Sequence, residues 1–134
     1  MSKIQYRAGY KYQLTNDYEI QTEAIPYAPV CSDFICLDAH GLLTIKKGYA
    51  WDGPSGPTFD TPSFMRGSLV HDALYQLISE GLLPDFYREY ADRTLYRLCR
   101  DDGMSSVRAW YVYKAVQAFG ESHTKDTKPI QEAP

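Results

Sequence analysis

The sequence predicts an α+β domain in which antiparallel strands, arranged as a meander or hairpins, come first and about three helices follow. Short segments of alternating apolar and polar residues occur before residue 48, and helical periodicity begins only after residue 61. Because strands and helices are segregated along the chain, an alternating α/β organisation is not expected. A chain of 134 residues is expected to form one domain, here over residues 1–120, followed by a flexible polar tail at 121–134.

The strand region divides into three segments. Residues 10–20 alternate tyrosine, leucine and isoleucine with polar residues, which predicts a strand or a short hairpin with one solvent-exposed face. Residues 25–30 contain two prolines and predict an irregular edge or loop. Residues 33–47 predict a hairpin, because two β-rich runs flank a turn at 39–41 in which Gly41 supplies the conformational freedom.

The first helix is expected to begin at Thr61-Pro62, with Thr61 as N-cap and Pro62 at the first helical position. It runs to about Ser79, and Gly81 ends it.

Two further helices follow. Pro84 is expected to open the second, which runs to about Asp101 and stops at Gly103. Ser105 or Ser106 caps a third helix that ends near residues 119–120. Because a short turn joins the first two helices, they are expected to pack as an antiparallel pair.

Composition excludes several classes of protein. The net charge is −3 with acids and bases interspersed, so no nucleic-acid partner is expected. No apolar run approaches a transmembrane segment, and the N-terminus lacks the apolar core of a signal peptide. Three cysteines are too few and odd in number for a disulfide framework, so a reducing compartment is expected. A zinc site built on Cys31 and Cys36 would need further ligands.

The chemistry-bearing residues lie between residues 48 and 92. Glycine and proline punctuate residues 48–60, which predicts an irregular loop leading into the first helix. A helical wheel places His71 and Tyr75 on the apolar face of that helix, and Asp92 on the apolar face of the second. A buried carboxylate needs a partner, so we expect Asp92 to bond to His71 and Tyr75 to donate to Asp92. Such a pair would leave one imidazole nitrogen to take a proton from water.

A cation site is a second expectation, because Asp72 is turned away from the apolar face and the glycine-rich loop can offer carbonyl oxygens. Calcium prefers such oxygen ligands. The candidate ligands are the carboxylates of Asp72 and Asp52 and the backbone carbonyls of Trp51, Gly53 and Ser55. Zinc held by His71 with Asp52 or Asp72 is a weaker alternative, because only one convincing histidine is present.

The sequence around these residues resembles two known families. The pattern HDALY…YREYAD after a glycine loop resembles the active site of phospholipase A2, in particular the disulfide-free form in parvovirus capsid proteins. This resemblance covers about 50 residues and implies His71 as base, Asp72 as calcium ligand, and Tyr75 with Asp92 as the supporting network. The loop WDGPSGPT departs from that pattern, since it has an acid and two prolines where glycine is usual.

Residues 10–120 also resemble a family of phage and prophage proteins known as a domain of unknown function. The shared pattern consists of WDGPSGPT, HDALY, an arginine before AD, and a last helix ending in YKAVQAFG. It implies a viral origin, and a location in the host cytoplasm or the virion. Arg88 belongs to this pattern and is expected to pair with Asp92 or a loop acid, or to bind an anionic substrate.

The sequence therefore predicts a phage-type protein with a His–Asp site for metal-assisted hydrolysis of an ester or amide. Phospholipid is the substrate that the first resemblance implies, and a cell-envelope bond is the other option. The alternative is a virion or host-interaction protein without catalysis. In that case the His–Asp network only fixes the helix pairing, and a surface rich in the 12 tyrosines binds a partner.

Overall fold

The computed structural model describes residues 6–7, 12–51 and 62–125. Within them, short strands precede three helices, so the predicted α+β class is confirmed. The strands are β1 (Tyr6–Arg7), β2 (Tyr12–Leu14), β3 (Tyr18–Gln21), β4 (Val30–Cys31), β5 (Ile35–Leu37), β6 (Leu42–Ile45) and β7 (Ala50–Trp51). The helices are α1 (Pro62–Ser79), α2 (Tyr87–Asp101) and α3 (Ser106–Lys125).

The strands form two antiparallel sheets, with the orders β1-β2-β7 and β3-β6-β5-β4. The hairpin predicted over residues 33–47 is confirmed as β5 and β6. Its turn is held by Asp38, whose carboxylate accepts the backbone N–H groups of His40 and Leu42, and Gly41 adopts a φ of 88°. The hairpin predicted as one option within residues 10–20 is wrong, because β2 and β3 enter different sheets and pair with distant strands.

Cys31 and Cys36 form a disulfide, although three cysteines were expected to be too few for a disulfide framework. The two residues are direct cross-strand neighbours in the β4–β5 pair, with Cα atoms 4.1 Å apart. That separation lies close to the range in which two cysteines can be bridged. Cys99 is free and buried.

Helix α1 begins at Pro62 and ends as predicted, while the expected N-cap Thr61 lies outside the described residues. Gly81 has a φ of 79°, its N–H bonds to the carbonyl of Ile78, and the N–H of Leu82 bonds to Leu77. This is the Schellman ending, in which a left-handed glycine lets the last carbonyls of a helix find donors.

The boundaries of α2 and α3 differ from the predictions. Helix α2 begins at Tyr87 rather than Pro84, because residues 84–88 first form turns in which Pro84 and Asp85 carbonyls accept bonds three residues on. Ser105 caps α3, because its hydroxyl oxygen accepts a hydrogen bond from the N–H of Arg108. This confirms one of the two predicted caps. The helix continues to Lys125, into the segment predicted as tail, and residues 126–134 lie outside the described residues.

Helices α1 and α2 pack against each other in opposite directions. Gly67 near the start of α1 faces Leu95 and Cys99, and Tyr75 near its end reaches back to Asp92. A Cβ atom at Gly67 would lie 2.8 Å from Leu95 Cδ1 and 3.1 Å from Cys99 Sγ, so glycine permits the close approach of the two helices.

Helix α1 is the centre of the core, since residues 64–71 are all buried. A large apolar cluster joins it to both sheets and to α2, and a smaller one joins Phe64 to α2 and α3. No helix in the described part of the chain has the length and apolar character needed to cross a membrane. Because residues 64–71 are buried, the polar groups among them must find partners inside the protein.

Candidate functional site

The site begins with a polar pair between α1 and α2. His71 Nε2 lies 2.7 Å from Asp92 Oδ1, so the predicted hydrogen bond is formed. His71 is 8% exposed and Asp92 is 1% exposed. Helical periodicity explains this placement, because each residue falls on the apolar face of its helix and the two faces pack together.

Tyr75 completes the cluster from the next turn of α1. Its hydroxyl donates to the same oxygen, Asp92 Oδ1, at 2.9 Å. Its ring lies 4.2 Å from the His71 ring, centroid to centroid. Burial, followed by the negative charge of Asp92 and the hydrogen bond to it, raises the pKa of the Tyr75 phenol well above its usual value. Tyr75 therefore stays protonated and acts as a donor.

The direction of the His71 bond fixes the role of the other ring nitrogen. An ionised carboxylate can only accept, so His71 Nε2 carries the hydrogen and a neutral ring keeps a lone pair on Nδ1. His71 Nδ1 lies 4.0 Å from Asp72 Oδ1, beyond hydrogen-bonding distance. The side chain of Asp72 is 40% exposed, which agrees with its predicted outward orientation.

Arg88 lies one turn before Asp92 on α2. Its guanidinium stands close enough to Tyr75 to oppose part of the rise in the tyrosine pKa, and its Nε atom is buried without a hydrogen-bond partner. Within the described ranges no carboxylate lies at ion-pairing distance from Arg88, so the pairing with Asp92 that was one prediction is not formed. The second option, an acid of the loop, falls outside the described residues.

An open groove of about 580 Å³ borders the cluster. Its wall includes Asp72 and Tyr75 from α1 and Trp51 from β7. The Trp51 indole N–H donates to Ser68 Oγ at 3.1 Å, and this bond fixes the edge of β7 against α1. The cluster therefore lies beside a surface depression, with Tyr75 shared between them.

The predicted cation ligands are described only in part. Asp72 and Trp51 line the same groove, whereas Asp52, Gly53 and Ser55 lie outside the described residues. Of these two described residues, Asp72 carries a carboxylate, the kind of ligand that a hard cation such as calcium prefers. In the ranges that the structure describes, no three His, Cys, Asp or Glu side chains form a group able to hold a metal ion.

The part of the groove farthest from Asp92 was not predicted from the sequence. Gln76, Ser79 and Glu80 continue the wall along α1, and Tyr49 and Ala50 face them. The helical periodicity that placed Asp72 outward also places Gln76 and Glu80 on its face, at intervals of four residues. That signal was available in the sequence, whereas the opposing residues required the tertiary structure.

The fold and the site define a small α+β protein with a buried His–Asp–Tyr cluster beside a polar groove. A family model described as "Protein of unknown function (DUF1353)" matches residues 28–116, which is more than half of the chain. The chain therefore belongs to the DUF1353 family. Comparison with curated proteins and with solved structures returned no match. The phage origin, the likeness to phospholipase A2 and the roles of the site residues stay predictions.

Proposed function

We propose that this member of the DUF1353 family is a hydrolase in which His71 activates a water molecule for attack on an ester or amide bond. The observation that supports this most is the 2.7 Å bond between His71 Nε2 and the buried carboxylate of Asp92. A histidine held by a carboxylate on one nitrogen is the usual arrangement of a general base, since the other nitrogen keeps its lone pair and a fixed direction.

In this mechanism His71 Nδ1 takes the proton of the attacking water as its oxygen bonds to the acyl carbon, and returns that proton to the leaving oxygen or nitrogen as the ester or amide bond breaks. Asp92 is a positioning residue, because it holds the tautomer and stabilises the imidazolium that forms. Tyr75 donates to Asp92 and keeps the carboxylate oriented, and its protonated state makes it unsuited to act as a base itself. Arg88 supplies a positive charge close to Tyr75 and is the candidate for contact with a negatively charged group of the substrate.

A divalent cation fits this proposal. Asp72 and the carbonyl of Trp51 would hold it, together with Asp52, Gly53 and Ser55 of the loop. When bound, calcium would stabilise the oxyanion that forms on the substrate carbonyl. The substrate classes are a phospholipid ester, as the likeness to phospholipase A2 implies, or a bond of the cell envelope.

The test is a panel of phospholipid, simple ester and cell-envelope substrates, measured with and without calcium. His71→Gln should reduce the rate on any substrate that is cleaved by about 10²-fold or more, because a positioned general base contributes about 10²- to 10⁴-fold. His40→Gln is the matched control, since His40 is exposed in the β5–β6 turn. A His71→Gln protein that keeps the wild-type rate would refute the proposal.

A second candidate function is supported by the outer face of α3. Val107, Trp110 and Tyr111 are 78%, 57% and 55% exposed, at the spacing of one helical face. Large exposed apolar side chains in one stripe often mark a surface that binds another protein. Under this alternative the chain is a virion or host-interaction protein, and the His–Asp–Tyr cluster only fixes the pairing of α1 and α2.

A further inference from the structure

The aromatic row, which consists of Phe86, Tyr87 and Tyr90, lies at the surface where α2 begins. The rings of Phe86 and Tyr87 are stacked with centroids 4.6 Å apart, and the Tyr90 ring follows 5.7 Å from that of Tyr87. The guanidinium of Arg93 lies 5.9 Å from the Tyr90 ring. Tyr87 and Tyr90 pack against the main apolar cluster, whereas Phe86 is 64% exposed. The row is therefore anchored in the core and open to solvent at Phe86.

The fold alone does not explain why a phenylalanine stands at residue 86. Phe86 precedes the first residue of α2, where Ser, Thr, Asp or Asn normally accepts a hydrogen bond from the helix, and its side chain makes no such bond. An exposed phenylalanine also buries little apolar surface. Residues that break local rules without a gain in stability are expected where a protein binds a ligand. The position of Phe86 therefore indicates a ligand that contacts its ring.

A second exposed ring belongs to the loop that contacts this row. Tyr27 lies between β3 and β4 and is fully exposed. The Tyr87 hydroxyl donates to the carbonyl of Ile25 at 3.0 Å, and Pro26 is buried, so the loop is attached to the start of α2 just before Tyr27. Because Pro26 and Pro29 restrict the backbone on both sides of Tyr27, little conformational freedom is lost when a ligand binds there.

The charges around the aromatic row select the chemical class of the ligand. Glu89 and Arg93 form an exposed ion pair, so their charges balance, and Asp85 adds an exposed carboxylate next to Phe86. This surface has no excess of positive charge for phosphate groups, which disfavours nucleic acid and anionic lipid. Rings in contact leave no slot between them of the kind that holds a proline-rich peptide. A flat, neutral ligand with hydroxyl groups fits best, because carboxylates accept hydrogen bonds and guanidinium groups donate them.

We propose that the aromatic row and Tyr27 bind the sugar rings of a neutral oligosaccharide. One face of a pyranose ring carries C–H groups, which pack against the electron-rich face of an aromatic ring. Phe86 contacts one sugar unit in this way and Tyr27 contacts a neighbouring unit, while the carboxylate of Asp85 accepts hydrogen bonds from sugar hydroxyls. None of these residues takes part in the proposed hydrolysis, so this binding is independent of His71.

The experiment measures binding to the full chain by NMR, with changes in the backbone amide shifts to locate the bound molecule. The probes are hexamers of glucose and of N-acetylglucosamine, a proline-rich peptide and an oligothymidylate. We expect at least one of the two sugar hexamers to bind at millimolar concentration and to shift amides within residues 25–27 and 85–93. The proposal is overturned if neither sugar hexamer binds, if the shifted amides lie elsewhere, or if the peptide or the oligothymidylate binds these residues more tightly.

Substitutions identify the rings that make the contact. Phe86→Ser and Tyr27→Ala should each weaken sugar binding about threefold to tenfold, the range expected for the loss of one ring contact, whereas Phe86→Trp should keep it. Both residues are exposed, so these variants should unfold at the wild-type urea midpoint. Tyr111→Ala is the control, because it removes an exposed ring from α3 and should leave sugar binding unchanged. Equal weakening by Tyr111→Ala, or wild-type binding by both Phe86→Ser and Tyr27→Ala, would overturn the proposal.

Discussion

The bond between Tyr75 and Asp92 gives a direct test of whether the cluster is charged in the folded protein. Tyr75→Phe removes one hydroxyl and leaves the ring that packs against His71. A hydrogen bond to a charged acceptor contributes about 1.5–3 kcal/mol, against about 0.5–1.5 kcal/mol for a neutral pair. Since the phenol is only partly buried, we expect Tyr75→Phe to lower the free energy of unfolding by about 1.5–2 kcal/mol.

The contribution of the negative charge on Asp92 is measured by making Tyr75→Phe in a protein that also carries Asp92→Asn. Asparagine keeps the size and one acceptor oxygen of aspartate but removes the negative charge, so Tyr75→Phe should then cost only about 0.5–1 kcal/mol. The expected coupling is about 1 kcal/mol, above the scatter of roughly 0.3–0.5 kcal/mol seen for independent sites. Equilibrium unfolding in urea at neutral pH gives the free energy of unfolding of the wild type, the two single variants and the double variant.

Tyr111→Phe on the exposed face of α3 is the control and should change stability by less than about 0.5 kcal/mol. A coupling within error of zero, or a Tyr75→Phe protein as stable as the wild type, would refute the argument that Asp92 is a buried anion held by two donors.

Three other predictions concern the scaffold. Burial, with a smaller contribution from Asp102, raises the pKa of the Cys99 thiol to about 12, so a thiol reagent at pH 8 should label Cys99 only after unfolding; rapid labelling of the folded chain would contradict this. Gly41→Ala should destabilise by about 2–4 kcal/mol, because the new Cβ would lie 2.9 Å from the carbonyl oxygen of Thr22 at positive φ. Gly103→Ala, also at positive φ but with open space around it, should cost only about 1 kcal/mol in the same denaturation assay. Hydrogen bonds from the backbone N–H groups of Leu42 and His40 lower the pKa of Asp38. The ionised carboxylate therefore stabilises the fold at a pH above its unfolded pKa, and this stabilisation is lost as the pH falls through the folded pKa. The difference in unfolding free energy between wild type and Asp38→Asn should shrink in acid, and a constant difference would show that the charge plays no part.

The cluster could be predicted from the sequence because its rules are local. Periodicity of 3.6 residues placed His71 and Asp92 on apolar faces, and the cost of burying an unpaired carboxylate joined them. Gly81 and Gly103 marked the helix ends for a similar reason, since each supplies a left-handed conformation.

The failures involve a partner strand that is distant in the sequence, a sheet register that residue spacing does not specify, or two local structures of nearly equal energy. No sequence pattern near β2 indicates that this strand pairs with β7, whose first residue lies 36 positions after Leu14. The disulfide between Cys31 and Cys36 depends on a sheet register that the spacing alone does not specify. Helix α2 begins later than Pro84 because a turn and a first helical turn differ little in energy, so a proline fits both.

The antiparallel pairing of α1 and α2 separates two properties of the molecule. His71 and Asp92 are only 21 residues apart and are brought together by one helical hairpin. The opposing wall of the groove comes instead from β7, and the turn after β4 lines a second depression that shares Gln76 and Glu80 with the groove. Under the proposed function, substitutions or length changes in that turn would alter the surface offered to a ligand while the His71–Asp92 bond keeps its geometry. On that proposal, residues 32–34 are the segment to vary in protein engineering, and the α1–α2 hairpin is the part to keep fixed.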